Sequence, residues 1–242
     1  MSRKKTFRKM FLRVWIALGI FLILWIVYSY QAHGVDGQLL ETSIQTEVNI
    51  EDDFYLFTPR DQFKDVMLFY PGAMVDPKAY VPLCRALADH DIQVYLFKMP
   101  WRMASKGYLK PIDLNIVNDS TKTYILAGHS QGGKMAAQFV YENPTKANKL
   151  ILIGTSHPRE ISLSNLTIPV LKIAGTNDGI ATPQSIEANR NKLPSTAQFV
   201  RIEGGNHSQF GYYGFQMGDN KSSISREQQH SEVVKNILEF IK

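Results

Sequence analysis

Five short apolar runs recur along this chain, separated by stretches with the spacing of amphipathic helices. The runs are DVMLFY, IQVYLF, TYILAG, KLILIG and VLKIAG. Such near-continuous apolar segments are typical of parallel strands buried on both faces of a sheet. The intervening residues 77–90, 131–142 and 183–193 have helical spacing, with prolines at their starts or just past their ends. Alternating strands and helices predict an α/β fold with a doubly wound, mostly parallel sheet.

Further elements are predicted on either side of this core pattern. VNIEDDFYLFTP indicates an opening hairpin, QFVRIEG a further strand, and residues 227–241 a closing amphipathic helix. We therefore expect one domain over residues 44–242, which is long enough to bury a sizeable core.

The amino-terminal segment is apolar and uncharged. Residues 14–30, VWIALGIFLILWIVYSY, would form roughly 26 Å of helix at ~1.5 Å per residue, near the thickness of a hydrocarbon core. Aromatic residues that favour the membrane interface lie toward its ends: Trp15, Trp25, Tyr28 and Tyr30. These features predict a transmembrane helix.

A cleaved signal peptide is the alternative interpretation of this segment. Its best cleavage site would follow Ala32, but the bulky Tyr30 two positions earlier fits a small-residue site poorly. We therefore expect an uncleaved anchor at residues 14–30, a basic cytoplasmic head at 1–13 and a short polar tether at 31–43. Because flanking positive charges stay inside, the folded domain should lie outside the cytoplasm.

The basic character of the chain is local. The net charge is +5, but six of the 27 basic side chains lie within residues 3–13, which leaves 21 against 22 acidic ones. A near-neutral body argues against a nucleic-acid-binding face, which needs clustered positive charge. The single cysteine, Cys84, excludes an intramolecular disulfide and a CxxC metal site.

The segment AGHSQGG follows an apolar run and opens a helical one. This is the context of a G-x-S-x-G turn, in which a serine is exposed on a strained strand-to-helix turn. Gly128 and Gly132 lie two residues on either side of Ser130, where a side chain would clash. We predict Ser130 to be a nucleophile, the alternative being a glycine-rich turn with an incidental serine. His129 is expected to be a wall or packing residue rather than a base.

Two further residues follow strand ends in the order serine, acid, histidine. Asp178 lies in the turn after VLKIAG, and His207 lies in the loop GGNHSQFGYYGFQMGD after QFVRIEG. The carboxyl ends of parallel strands share one sheet edge, so both side chains can approach Ser130 there. A turn or helix cap is the alternative role for Asp178, although Thr182 can supply that cap. Glu203 is the reserve acid. The other histidines fit a base less well: His33, His90, His157 and His230.

An oxyanion hole is predicted from position. One backbone donor should be the N–H of Gln131, directly after the nucleophile, and the other should come from the loop after an earlier strand. FYPGAMV ends such a strand, which points to Ala73, with Met74 as the near alternative. An ordinary Pro-Gly turn is the competing interpretation of that loop.

The motifs together resemble a known family. FYPGAMVDPKAY, KMPW, AGHSQGG, GTNDGIATP and the long loop after His207 resemble the alpha/beta-hydrolase fold-5 family of bacterial hydrolases over residues 65–241. The resemblance implies the α/β-hydrolase fold, with Ser130 as nucleophile, Asp178 as orienting acid and His207 as base. It places Gln131 at the usual oxyanion position, where many relatives carry a hydrophobic residue. It supplies no substrate.

The connections around the site predict that it has no large lid. Residues 155–168 are too few for a multi-helix lid, so residues 98–114 and the loop after His207 should wall an open site. An open site favours short acyl groups, since each buried CH₂ contributes only ~0.8 kcal/mol when apolar surface is available. The rings of Tyr212, Tyr213 and Phe215 could instead cover the site or pack against the sheet.

The predicted function is that of a membrane-anchored serine hydrolase acting on small carboxylic esters. Acyl transfer with the same residues and a non-catalytic tethered binding protein are the alternatives. No metal spacing, phosphate loop or dinucleotide fingerprint is present, so no cofactor is expected. Basic side chains of the 98–114 loop could meet an anionic substrate or simply be solvated: Lys98, Arg102, Lys106 and Lys110.

Overall fold

The computed structural model describes residues 2–156 and 160–242. His157, one of the histidines considered above, lies outside these ranges. The eight strands of the described chain form one sheet in the order β1-β2-β4-β3-β5-β6-β7-β8. Their bounds are Thr46–Ile50, Phe54–Pro59, Asp65–Tyr70, Gln93–Phe97, Thr123–His129, Lys149–Ile153, Val170–Gly175 and Gln198–Ile202 for β1 to β8.

The sheet is mostly parallel, as predicted. β1 and β2 form the opening antiparallel hairpin, and β2 pairs antiparallel with β4. From β4 to β8 every neighbouring pair is parallel, so the loops that follow these strands lie along one edge. The predicted doubly wound α/β architecture is confirmed.

Helices cover both faces of the sheet. The six α-helices α1 to α6 are Ser2–Ser29, Val81–Ala88, Lys110–Asp113, Gln131–Glu142, Pro183–Glu187 and Arg226–Ile241. Apolar residues of α2 and α6 pack in one cluster on one face, and those of α4 pack in the cluster on the other. The sequence sets the start of α6 with a capping box, in which Ser225 and Gln228 each bond the other's backbone N–H.

Helix α1 stands apart from this core. The residues from Phe7 to Ser29 are long and apolar enough to cross a membrane, and none of the most apolar window is buried in the domain. A signal sequence meets the same criteria of length and composition.

Residues 31–43 are packed on the domain rather than extended as a free linker. Residues 37–40 form a 3-10 helix, and the guanidinium of Arg85 in α2 donates to the carbonyls of Leu39 and Glu41. Ala32 and Val35 pack against the core as well. The apolar residues in this polar-looking segment are what anchor it.

One lysine is buried in the core without a partner. Lys172, in β7, is 2 % exposed, and no group of the described chain lies within hydrogen-bond distance of its Nζ. Burial, reinforced by the charge of Lys134 and partly offset by Asp178, lowers the pKa of Lys172 from 10.5 to about 7. An amine in such surroundings resists protonation because its charge is poorly solvated.

Lys172→Met is expected to stabilise the fold at pH 7 by about 2 kcal/mol or more, because it removes an unpartnered buried amine. Below pH 7 both the folded and the unfolded chain carry the lysine proton, so the penalty is complete there. As pH rises toward 10.5 the unfolded chain also loses that proton and the penalty fades.

Thermal unfolding at several pH values checks this prediction. Wild type should gain stability relative to Lys172→Met between pH 7 and pH 10, whereas the exposed control Lys235→Met should follow the wild type. Parallel pH profiles for wild type and Lys172→Met would contradict it.

Candidate active site

Ser130 occupies a strained turn between β5 and α4. Its backbone has φ 54° and ψ −118°, an uncommon conformation for a residue with a side chain. The turn is possible because Gly128 and Gly132 lack side chains: a Cβ on Gly128 would overlap the backbone of Gly132, and a Cβ on Gly132 would overlap the carbonyl oxygen of Tyr70. The sequence therefore folds into the sharp strand-to-helix turn that exposes a serine.

Asp178 and His207 form a buried pair. Nδ1 of His207 lies 2.9 Å from Oδ2 of Asp178, and both side chains are fully buried. The other carboxylate oxygen of Asp178 accepts from the backbone N–H groups of Ile180 at 2.8 Å and Ala181 at 2.7 Å. The carboxylate is thus fixed by three hydrogen bonds, and it orients the imidazole with Nδ1 as the donor.

The turn role of Asp178 coexists with its contact to His207. Thr182 supplies the cap of α5, accepting from Ser185 N at 3.2 Å. Asp178 is therefore free to use one oxygen for its own turn and the other for His207. The reserve acid Glu203 is exposed, so it is not the group that His207 contacts.

The remaining ring nitrogen of His207 is available. Within the described chain, Nε2 has no hydrogen-bond partner, although the ring is fully buried. The ring lies 4.5 Å from that of His129, the residue directly before Ser130. The structure thus brings His207 beside the Ser130 turn without a hydrogen bond to the serine, a contact that commonly tightens only when substrate is bound.

His129 belongs to a buried network and not to the base. Its Nδ1 lies 2.8 Å from the hydroxyl of Tyr80, which in turn accepts from Gly72 N at 3.1 Å. Burial, followed by the neighbouring charge of His207, holds the pKa of His129 well below its ordinary value, so the ring is neutral. The network connects the Ser130 turn to the loop after β3.

That loop and the start of α4 present the two candidate oxyanion donors. Gln131 is the first residue of α4, where N–H groups have no partner within the helix. In the described chain neither its N–H nor that of Ala73 donates to a backbone carbonyl. Met74, the near alternative, donates its N–H to Arg102 O at 2.7 Å and is therefore engaged.

Comparison with known proteins identifies the family. A model described as the alpha/beta hydrolase family matches residues 66–231. The chain belongs to the alpha/beta hydrolase family. No curated protein matches the sequence.

Solved structures agree on the fold. TT1662 from Thermus thermophilus has a TM-score of 0.59 at 13% identity, covering 82% of this hydrolase and 99% of that chain. An alpha-beta serine hydrolase homologue from Coxiella burnetii has a TM-score of 0.55 at 16% identity, covering 81% and 98%. The α/β-hydrolase fold predicted from the motifs is confirmed.

A second buried carboxylate, which sequence reasoning missed, holds the histidine loop of this hydrolase. Asp219 accepts from the backbone N–H groups of His207 at 3.2 Å and Ser208 at 2.8 Å, and from the Ser208 hydroxyl at 2.7 Å. It also accepts from Gly179 N at 3.1 Å, beside Asp178. One side chain thus joins the two loops that carry the Asp178–His207 pair.

The side chain of Gln131 also has a structural role in the hydrolase. Its Oε1 accepts from Ala104 N at 3.1 Å, which ties the first residue of α4 to the 98–114 loop. A hydrophobic residue, which many relatives carry here, could not make this bond.

Most basic residues of the 98–114 loop are engaged within the protein. Lys98 donates to Glu51 O, Lys110 pairs with Asp53, and Arg102 pairs with Asp76 at 3.2 Å. Lys106 is exposed. Three of the four predicted cations are thus used to hold the loop, and they do not form a site for an anionic substrate.

The aromatic residues of the loop after His207 divide into two groups. Tyr213 is fully buried and stacks on Tyr30 with ring centroids 6.2 Å apart, and Tyr212 packs edge-on against His230 at 4.8 Å. Phe215 is 47 % exposed. Packing therefore accounts for both tyrosines, and only Phe215 is presented to the surroundings.

Proposed function

We propose that this hydrolase is a membrane-anchored serine hydrolase that cleaves carboxylic esters through an acyl-enzyme. The observation that carries the proposal is the buried Asp178–His207 pair, which lies beside the strained turn of Ser130 with Nε2 of the imidazole unpartnered. A histidine oriented by a carboxylate and placed near an exposed serine is the arrangement that activates a hydroxyl.

The reaction follows from these groups. Ser130 Oγ attacks the ester carbonyl carbon while Nε2 of His207 takes the hydroxyl proton, and Asp178 stabilises the resulting imidazolium. The N–H groups of Gln131 and Ala73 stabilise the negative oxygen of the tetrahedral intermediate. The alcohol leaves with the proton from His207, and water activated by the same imidazole then releases the acid and restores Ser130.

The anchor part of the proposal is supported by α1. Its apolar residues from Phe7 to Ser29 are exposed to the surroundings rather than packed on the domain, and basic residues precede them in the sequence. The charge distribution favours a cytoplasmic amino terminus and an extracytoplasmic domain.

Short water-soluble esters test the proposed chemistry. The full-length chain in detergent is expected to hydrolyse p-nitrophenyl acetate and butyrate, and to cleave the corresponding anilides far more slowly because an amide has a poorer leaving group. Release of p-nitrophenol measures the rate, and Ser130→Ala is the control for uncatalysed hydrolysis. Equal rates for wild type and Ser130→Ala would contradict the proposal.

A further inference from the structure

The apolar helix α1 ends directly on the loop that carries His207. Ser29, its last residue, is only 5 % exposed. Its carbonyl accepts from Gly214 N at 2.7 Å, and its hydroxyl donates to the carbonyl of Phe215 at 2.8 Å. No slack chain therefore separates the end of the proposed membrane span from the active-site loop.

Two other loops at the same sheet edge are bonded to the residues that follow. Tyr30 O accepts from Asp76 N at 2.9 Å, in the loop after β3, and Gln31 Oε1 accepts from Arg102 at 3.1 Å, in the loop after β4. We call residues 71–76, 98–104 and 208–219 the rim loops. All three are tied to residues 29–31, and they surround the site because two of them carry Ala73 and adjoin His207.

Each rim loop exposes large apolar side chains. The exposed fractions are 51 % for Met74, 90 % for Trp101, 47 % for Phe215 and 56 % for Met217. Large apolar side chains clustered around a site mark a surface that contacts another apolar phase. Tryptophan in particular favours the membrane–water interface.

The backbone of two rim loops is strained in a way that presents these side chains. Met74 has φ 62° and Trp101 has φ 54°, both in the left-handed region that residues with a side chain enter at a cost of about 1 kcal/mol or more. The loops stabilise each other there, since Met74 N donates to Arg102 O. The exposure of Trp101 is thus built into the fold and does not reflect a loose end.

We propose that the rim loops lie in the interface of the lipid bilayer that α1 crosses, so that the active site opens onto the membrane and takes ester-bearing amphiphiles from it. This inference rests on the proposed function, both its anchor and its ester chemistry. A lipid surface is the occupant because the end of a membrane span marks the depth of the interface, and the rim loops are hydrogen-bonded to that end.

This placement changes the consequence of the missing lid. An open site offers little protein surface for an acyl chain, but a chain that stays in the bilayer needs none. The scissile ester, at the level of the lipid head groups, would reach Ser130 while its hydrocarbon remains in the membrane. Cleavage consumes one water and releases a carboxylic acid and an alcohol.

The depth of Trp101 tests the proposal directly. The chain has three tryptophans, and replacing Trp15 and Trp25 with phenylalanine leaves Trp101 as the sole reporter. In phosphatidylcholine vesicles, lipids brominated near the head group should quench its fluorescence, and aqueous acrylamide should quench it several-fold less than in a denatured sample. Quenching by acrylamide alone would overturn the proposal, and so would protection from both quenchers, which would indicate a protein partner or second copy on the rim.

Activity gives a second readout with a matched control. Trp101→Asn combined with Phe215→Ser should lower hydrolysis of a long-chain ester in vesicles about tenfold or more, while hydrolysis of p-nitrophenyl acetate stays within about twofold. Ile44→Ser, which removes an apolar side chain that is 92 % exposed outside the rim loops, should change neither rate. Equal loss with both substrates, or no loss with either, would contradict the inference.

The controls separate this inference from the proposed function. If wild type hydrolyses acetate and stays in the membrane fraction but Trp101 faces water, only the membrane-facing site is wrong. If wild type hydrolyses no ester, the ester chemistry fails, whereas the Trp101 quenching result still decides the position of the rim loops.

Discussion

Ser130→Ala is expected to lower kcat for ester hydrolysis by roughly 10⁴-fold or more, because the alanine variant retains only what the oxyanion donors and substrate binding contribute. His207→Ala should have a similar effect, since it removes the group that accepts the serine proton. The double variant should be little worse than either single one, because residues that act as a unit are not additive. Hydrolysis of p-nitrophenyl butyrate by the full-length chain in detergent measures these rates.

Asp178→Asn isolates the orienting role of the carboxylate. Asparagine retains an oxygen for the N–H groups of Ile180 and Ala181 but loses the charge that stabilises the His207 imidazolium. We expect a loss of roughly 10³- to 10⁴-fold in kcat. Glu203→Gln is the matched control and should leave kcat unchanged, since that acid is exposed. A mild Asp178→Asn together with a severe Glu203→Gln would reverse the assignment of the acid.

Asp219→Asn is the second change with a large expected effect. Both carboxylate oxygens accept from N–H or O–H donors of His207, Ser208 and Gly179, so either orientation of the amide turns its NH₂ toward donors. Because hydrogen bonds to a charged group each contribute about 1.5–3 kcal/mol, we expect a lower melting temperature and a kcat reduced about 10- to 100-fold.

The split between kcat and KM distinguishes positioning from stability in this variant. Asp219 does not line the bond-making atoms, so KM should change little while kcat falls as His207 loses its orientation. Ser208→Ala, which removes one of the bonds to Asp219 and no charge, should show a smaller fall in both kcat and melting temperature. A destabilised Asp219→Asn with unchanged kcat would show that Asp219 serves stability alone.

The fold was predictable from the sequence because its signals are local. Parallel strands buried on both faces read as continuous apolar runs, and the glycines around Ser130 are required by contacts within a few residues of the turn. The order of Ser130, Asp178 and His207 followed from strand ends that share one sheet edge. The contact of His207 with Asp178 needed the structure, since it joins residues that are 29 apart.

Contacts between distant segments carried no sequence signal. Asp219 was only a Gly-Asp pair at the end of a loop, and nothing local indicates that it accepts from residues before it. The docking of Ser29 on Phe215 spans 186 residues, so residues 31–43 read as a polar tether although they are packed on the domain. The exposure of Trp101 depends on a left-handed backbone conformation, which the sequence KMPW does not reveal.

The chemical identity of the nucleophile is the central claim, and a fluorophosphonate probe tests it most directly. The probe bonds covalently to an activated serine, and mass spectrometry of the digested protein then locates the adduct. The account predicts one adduct on the peptide that contains Ser130, abolished by Ser130→Ala and strongly slowed by His207→Ala. No adduct on the folded wild-type chain, or an adduct that persists in Ser130→Ala, would contradict it.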